Sequence, residues 1–341
     1  MPDRLRGLLV GCGGMSRRWT EVSRSLSDLD LVAFVDLDES AAQARATDYG
    51  GTPLVSTDLT EALRQTQPDV VFDCTIPDAH TAVTLEALSS GCHVLGEKPL
   101  ATSMADARKA VDAAEATGLT YAVIQNRRYD PNIRRLRRTL NNGSIGPLTT
   151  VNSDFYIGAH FDGFRNHMPH VLLLDMAIHT FDAARLITGA DPVSVFCKEW
   201  NPSGSWYDRD ASAVAVFEMT GGIVYTYRGS WCSEGLNTTW ECDWRMIGQD
   251  GSITWDGADR FEGETITARG EFRSEGAPIE VSPEDPADRI GGHEGLIQDF
   301  VECVLTGRTP ETVCSDNIKS LAMVFGAIES AEKCRPVDIH W

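Results

Sequence analysis

Residues 169–188 read PHVLLLDMAIHTFDAARLIT, an apolar run broken by Asp175, His179, Asp182 and Arg185. A helix built from such a run is apolar most of the way round and belongs in a protein interior. At 3.6 residues per turn, Asp175, His179 and Asp182 fall on one face. A polar stripe on a buried helix is costly unless its groups pair or face a cavity. Two readings meet that condition. In one, the stripe is a structural network, with Asp182 paired to Arg185 and His179 held by a carboxylate. In the other, a carboxylate and an imidazole are presented side by side to a substrate, an arrangement suited to proton transfer. A further reactive group stands in Gly96-Glu97-Lys98-Pro99-Leu100, in a chain whose cations are mostly arginine. Pro99 lacks an N–H and holds Lys98 extended. Lys98 is then either a surface lysine before a turn or an ammonium aimed at a substrate.

The elements that must position these groups begin at the N-terminus. Leu8, Leu9 and Val10 end a short apolar strand, and Gly11-Cys12-Gly13-Gly14-Met15-Ser16 follows before a helical pattern starts near Arg17. In this G-x-G-x-x-S pattern the first two glycines allow a tight turn and let the backbone approach a pyrophosphate. The helix N-terminus adds N–H donors and the positive end of its dipole. The third position needs only a small residue, which Ser16 nearly supplies. A second strand, residues 31–35, ends in Asp36, twenty residues beyond Ser16. A carboxylate there accepts from the adenosine ribose hydroxyls and repels a 2′-phosphate, which favours NAD over NADP.

Helical patterns over 39–50, 58–65, 79–90 and 103–118 alternate with apolar strands at 69–74, 92–96 and 120–125. That alternation predicts a parallel sheet covered on both faces. Ligands bind at the carboxyl ends of such strands, where Thr75, Ile76, Pro77, Glu97, Lys98 and Asn126 all lie.

The bulk composition narrows the function classes. A chain of 341 residues accommodates two domains, placed here at 1–127 and 128–341. A net charge of −20 argues against nucleic acid and against an acidic membrane surface. The nine cysteines are scattered without a CxxC pair, and Cys74 and Cys92 read as reduced core residues. With no signal peptide or membrane-length apolar stretch in the sequence, a cytoplasmic location is expected.

These residues resemble the Gfo/Idh/MocA oxidoreductases, named for glucose–fructose oxidoreductase and inositol dehydrogenase. The Gly-rich turn matches Gly11 to Ser16, and the strand-end acid matches Asp36. The Pro…His stretch matches Pro77 and His80, the Glu-Lys-Pro motif Glu97-Lys98-Pro99, and the Asp-x-x-x-His helix motif Asp175 to His179. The family usually carries glycines just before the leucines of that helix. Here the stretch is Met168-Pro169-His170-Val171, which stiffens the backbone and introduces an imidazole.

The resemblance implies an α/β chain: a Rossmann domain, then an α+β domain with a large, mostly antiparallel open sheet. Strand-type runs at 148–157, 192–200, 211–219, 222–232 and 239–249 agree, with a hairpin at Gly221-Gly222. Helices are expected over 293–306 and 315–332, and residues 270–292 read as a surface loop. Homodimers or homotetramers formed through the sheet are implied. Tyr225, Tyr227, Trp231, Trp240 and Trp244 fit either that interface or the core.

The implied activity is NAD-dependent oxidation of a secondary hydroxyl on a sugar, sugar derivative or cyclitol. His179 is the candidate base, Asp175 orients, and Lys98 stabilises the developing alkoxide or shares the proton relay. Arg165, His167 and His170 are read as recognising an anionic or heavily hydroxylated sugar. A metal site built from the histidines of residues 160–170 is disfavoured by their irregular spacing. Two other classes exist among such relatives: a glycosidase with transient redox, and a sugar sensor without catalysis. Retention of Lys98, Asp175 and His179 argues against the sensor.

Overall fold

The computed structural model describes residues 4–161 and 163–341; Asp162, inside the histidine-bearing segment, and the first three residues lie outside the described residues. The first strands are β1 (Leu5–Val10), β2 (Leu29–Val35), β3 (Leu54–Ser56), β4 (Val70–Asp73), β5 (His93–Gly96) and β6 (Tyr121–Val123). Between them run α1 (Ser16–Ser25), α2 (Glu39–Tyr49), α3 (Leu59–Thr66), α4 (Pro77–Ser89) and α5 (Met104–Thr117). The six strands form one parallel sheet in the order β3-β2-β1-β4-β5-β6. The order reverses between β1 and β4, so the loops after these strands frame a crevice at the carboxyl edge. Helix starts follow local chemistry. Asp38 accepts from Ser40 N, Asp58 from Glu61 N and Ser103 from Asp106 N, while Pro77 opens α4 where no N–H is needed.

The chain continues with α6 (Pro131–Asn141), β7 (Leu148–Tyr156), a π-helical segment Leu172–Ala177, and α7 (Ile178–Thr188). Then come β8 (Pro192–Trp200), β9 (Ser212–Met219), β10 (Ile223–Ser230), β11 (Asp243–Gly248), β12 (Gly251–Trp255), β13 (Phe261–Ala268) and β14 (Glu275–Pro278). Helices α8 (His293–Thr306) and α9 (Cys314–Lys333) and strand β15 (Val337–Asp338) complete it. The nine strands from β7 onward form a second sheet, β14-β13-β12-β11-β7-β10-β9-β8-β15. Its neighbours are antiparallel except for the parallel pair β7 and β10. Gly221 and Gly222, both at positive φ, turn the hairpin between β9 and β10. Among the described residues no helix is long and apolar enough to cross a membrane.

The chain divides into two compact units. The first takes the chain up to Tyr129 together with Arg289–Ile318; the second is Asp130–Asp288 with Lys319–Trp341. The return of α8 to the first unit has a packing cause. Phe300 lies 6.3 Å from the ring of Phe72, which lies 5.3 Å from Trp19, and all three are buried in one cluster with Phe34 and Ile297. Each such side chain contributes about 1.5–3 kcal/mol by leaving water. The Tyr129 hydroxyl also donates to Asp299 on α8 at 2.8 Å.

Three differences from the sequence reading have physical reasons. The stretch 270–292 is not wholly loop, because β14 pairs with β13 despite its Gly and Pro. An edge strand needs only one side of its ladder, which tolerates those residues. The aromatic stretch is mostly interior: Tyr225, Tyr227, Trp231 and Trp244 are buried, and Trp240 alone of the five is exposed. The helix expected from residue 169 is wound as a π-helix over Leu172–Ala177 before it becomes α7, and His170 ahead of it has φ +50°. The i,i+4 stripe therefore does not run unbroken.

Candidate active site

In the first unit the Gly-rich turn is fixed by contacts only glycine permits. Gly11 has φ +87°, and a Cβ there would stand 2.5 Å from the Cys74 carbonyl carbon and Thr75 N. The turn thus lies against the end of β4. At Gly13 and Gly14 a Cβ would meet nothing within 4 Å, which leaves open space beside the turn. Asp36 closes the other side. Its Oδ2 accepts from Cys12 N at 2.7 Å and its Oδ1 from Asp38 N at 2.9 Å. Burial, and then the Asp36 charge, push the Cys12 thiol up to about 12, so it stays neutral under the turn.

Ser16, where a third glycine is usual, donates to Gly13 O at 2.6 Å and accepts from Arg45 Nε at 2.9 Å. Arg45 is buried behind the turn and also pairs with Asp48 at 2.7 Å. At the strand ends, Met15, Leu37 and Ile76 are exposed apolar side chains. Open space at two glycines, a strand-end carboxylate, a helix N-terminus and exposed apolar surface fit a dinucleotide.

Thr75 donates to Asp73 Oδ1 at 2.5 Å, and His80 Nδ1 lies 2.9 Å from Asp73 Oδ2. His80 is buried, and its Nε2 has no hydrogen-bond partner among the described residues. It therefore props the Thr75-Ile76-Pro77 corner from beneath. Glu97 accepts from the indole of Trp19 at 2.8 Å and lies 3.9 Å from His293 Nε2, an ion-pair rather than a hydrogen-bond distance. Burial pushes the Glu97 carboxyl up, but His293, Trp19 and Lys98 outweigh it and leave it below the usual value. Glu97 is thus an anchored anion next in sequence to Lys98, and the Lys98–Pro99 bond is cis. Asn126 opens the short 3-10 turn after β6, near Gly292.

In the second unit the polar stripe divides. Asp175 and His179 are part-exposed, whereas Asp182 is fully buried. Asp182 accepts from Ser320 Oγ at 2.6 Å and lies 4.0 Å from Arg185, which donates to Ser320 and Asp191. The structural reading therefore describes Asp182, while Asp175 and His179 face accessible space. Asp175 is gripped by Arg165, whose Nε donates to Oδ2 at 2.7 Å. Arg165 lies over Phe161 and Phe164, at 5.1 Å and 4.9 Å from their ring centres. Its charge is answered by Asp175, so within the unit it acts on that carboxylate.

The neighbouring histidines go to different acids. His160 lies 3.1 Å from Glu234 and stacks on Trp206, His167 lies 2.5 Å from Asp208, and His170 lies 2.7 Å from Glu199. Of the three residues expected to recognise a sugar, only Arg165 is brought onto Asp175. Sequence reasoning missed Leu37, Arg45, Glu199 and His293. Leu37 could have been found, since it follows the strand-end acid directly. The others act across long sequence separations that no local pattern encodes.

Known proteins share this architecture. Residues 5–125 match the family model described as oxidoreductase family, NAD-binding Rossmann fold, and residues 133–254 match the GFO/IDH/MocA C-terminal domain. The D-apiose dehydrogenase of Paraburkholderia graminis is 26% identical over 98% of this chain and 90% of its own length. The inositol 2-dehydrogenase/D-chiro-inositol 3-dehydrogenase of Lacticaseibacillus casei is 33% identical over 51% of this chain and 50% of its own. The crystal structure of GenD2 from gentamicin A biosynthesis, in complex with NAD, superposes with a TM-score of 0.81 at 25% identity, covering 100% of this chain and 98% of that one.

Proposed function

Since the chain belongs to the Gfo/Idh/MocA family of NAD-binding oxidoreductases, we propose that it oxidises a secondary hydroxyl of a sugar, sugar derivative or cyclitol, with NAD as the acceptor. The observation that carries this reading is the part-exposed pair Asp175 and His179 on an otherwise buried helix. Bound NAD would supply the hydride acceptor for this oxidation. Gly11 to Ser16 hold its pyrophosphate through backbone N–H groups and the start of α1. Asp36 accepts from the ribose hydroxyls and disfavours NADP. The exposed side chains of Met15, Leu37 and Ile76 would offer apolar surface to the rings of NAD. Thr75, Pro77, Glu97 and Asn126 line the same strand ends, and His80 supports them.

His179 takes the hydroxyl proton as the general base. Asp175, steadied by Arg165, accepts from a substrate hydroxyl. Lys98 donates to the reacting oxygen and stabilises negative charge as it develops. The D-apiose and inositol dehydrogenases among the relatives support a polyol or sugar as substrate. A homodimer or homotetramer is part of the proposal, supported by Phe196, Trp200, Val216 and Val224, exposed on β8, β9 and β10. Light scattering tests the assembly.

The decisive assay is NADH formation from NAD across a panel of sugars, polyols and sugar acids. Activity that His179→Ala abolishes supports the dehydrogenase. NAD binding without NADH from any of them, but with hydrolysis of a glycoside, replaces it with the glycosidase.

A further inference from the structure

His170 has φ +50°, in the left-handed region that non-glycine residues seldom occupy. Its carbonyl accepts from Leu174 N at 2.9 Å, so the helix bearing Asp175 and His179 springs directly from this residue. A side chain stays in such a conformation when its surroundings over-determine it, and such positions cluster at functional sites. Here the imidazole is held on two sides. Nδ1 lies 2.7 Å from Glu199 Oε2 on β8, and Nε2 lies 3.8 Å from Glu332 Oε1 on α9.

Glu199 is the deeper partner, with a side chain only 3% exposed. Its second oxygen is buried with no hydrogen-bond partner among the described residues. A buried carboxylate is costly without a compensating cation, and the imidazolium of His170 is placed to be one. The two residues restrain one another: Glu199 keeps the imidazole in place, and the imidazole keeps the backbone in its left-handed turn.

We propose that His170 is a positioning residue, whose ion pair with Glu199 pins the turn from which the π-helical segment Leu172–Ala177 starts and thereby fixes Asp175 and His179. The proposal rests on the reading of those two as the catalytic pair. It assigns His170 to the scaffold rather than to the substrate.

The groups facing the imidazole are Glu199 on β8, Glu332 on α9 and Asp210 just before β9, all acidic. The hydrogen bond to Glu199 raises the imidazole above its ordinary value against the opposing effect of burial. Burial raises the Glu199 carboxyl. A His170 pKa raised on folding means that its contribution is fully present below the ordinary imidazole value and is lost as pH rises through the raised one. The ion pair also disappears on the acid side, where Glu199 takes up a proton. The clamp therefore has a pH window bounded by the two residues.

The test is hydrogen exchange of the full-length protein without substrate, read on peptides spanning 171–180 and corrected for intrinsic rates, at several pH values through and above neutrality. Wild type is expected to lose protection in that segment as pH rises. His170→Gly relieves the backbone but removes the clamp, and exchanges about tenfold faster below the transition. His170→Asn tolerates the left-handed turn and still donates to Glu199; it retains protection and loses the pH dependence. Equal protection of His170→Gly and wild type, or a flat pH profile in wild type, would overturn the proposal. Because no turnover is measured, a protein that proves not to be a dehydrogenase still answers this question. Where a sugar or polyol does yield NADH, His170→Gly lowers kcat and leaves the Kd for NAD unchanged.

Discussion

Arg165 holds Asp175 through a charged hydrogen bond from Nε to Oδ2 of 2.7 Å, with a longer contact from its second nitrogen to Oδ1 at 3.4 Å. A candidate substrate-orienting carboxylate is thus aligned by a guanidinium that itself lies over Phe161 and Phe164. Arg165→Ala is expected to lower kcat/KM by about 10- to 100-fold, and Arg165→Lys to recover only part of it, because an ammonium lacks the planar fork. The loss should fall on neutral and acidic sugars alike, since Asp175 already neutralises the arginine. A loss confined to acidic sugars in a substrate panel would instead make Arg165 a direct anion receptor.

The glycines of the cofactor turn should separate into two kinds. Gly11→Ala places a methyl group against the Cys74–Thr75 backbone just after β4 at a positive φ, and should destabilise by more than about 2 kcal/mol in thermal or denaturant unfolding. Gly13→Ala meets no protein atom, and should leave unfolding nearly unchanged while weakening NAD about tenfold or more in titration calorimetry. Unchanged NAD affinity in Gly13→Ala would show that the space beside Gly13 is not kept for the dinucleotide.

Asp36 both fastens the turn through Cys12 N and repels a 2′-phosphate. Asp36→Ser should shift the ratio of NADP to NAD affinity upward by about 100-fold, mostly through weaker NAD. Competitive titration of the two nucleotides measures it, and an unchanged ratio would remove Asp36 from cofactor selection.

The polar stripe should divide by function as it does by burial. Asp182→Ala removes the buried acceptor of Ser320 Oγ and one of two carboxylates beside Arg185, and should cost about 1–3 kcal/mol of stability. His179→Ala, at a part-exposed position, should leave the melting temperature within a few degrees of wild type and remove turnover. Comparable melting temperatures for the two variants would contradict the division.

Glu97 is held below its usual value by His293, Trp19 and Lys98 in spite of burial. A pKa lowered on folding contributes stability that is fully present above the ordinary glutamate value of about 4.3 and is lost as pH falls through the lowered one. Acid unfolding should therefore be shallower in Glu97→Gln over that range, with lower stability at neutral pH. Parallel acid-unfolding profiles for the two proteins would exclude the carboxylate as a contributor.

The legible parts of this molecule were those written in short stretches of chain. The Gly11–Ser16 turn and Asp36 could be read because strand, turn, helix and acid follow one another within one unit of fold. The Asp175–His179 pair could be read because polar residues stand out in an apolar helix. What could not be read depends on distant partners. Nothing around His170 announces a left-handed residue, because the restraint comes from Glu199, 29 positions away. The π-winding of Leu172–Ala177 leaves the hydrophobic pattern of an ordinary helix intact. The unit to which α8 belongs is decided by Phe300 meeting Phe72, a contact that no window of sequence contains.

That last contact bears on how such a protein can be recombined. A gene fusion that cut once after Tyr129 would carry away the six-stranded sheet but leave behind the helix that seals Trp19 and Phe72 from water. A chimaera that grafts this nucleotide-binding unit onto another partner needs three splice points, one on each side of residues 130–288 and one after Ile318. With the single cut after Tyr129, the transplanted sheet would expose an aromatic surface and aggregate.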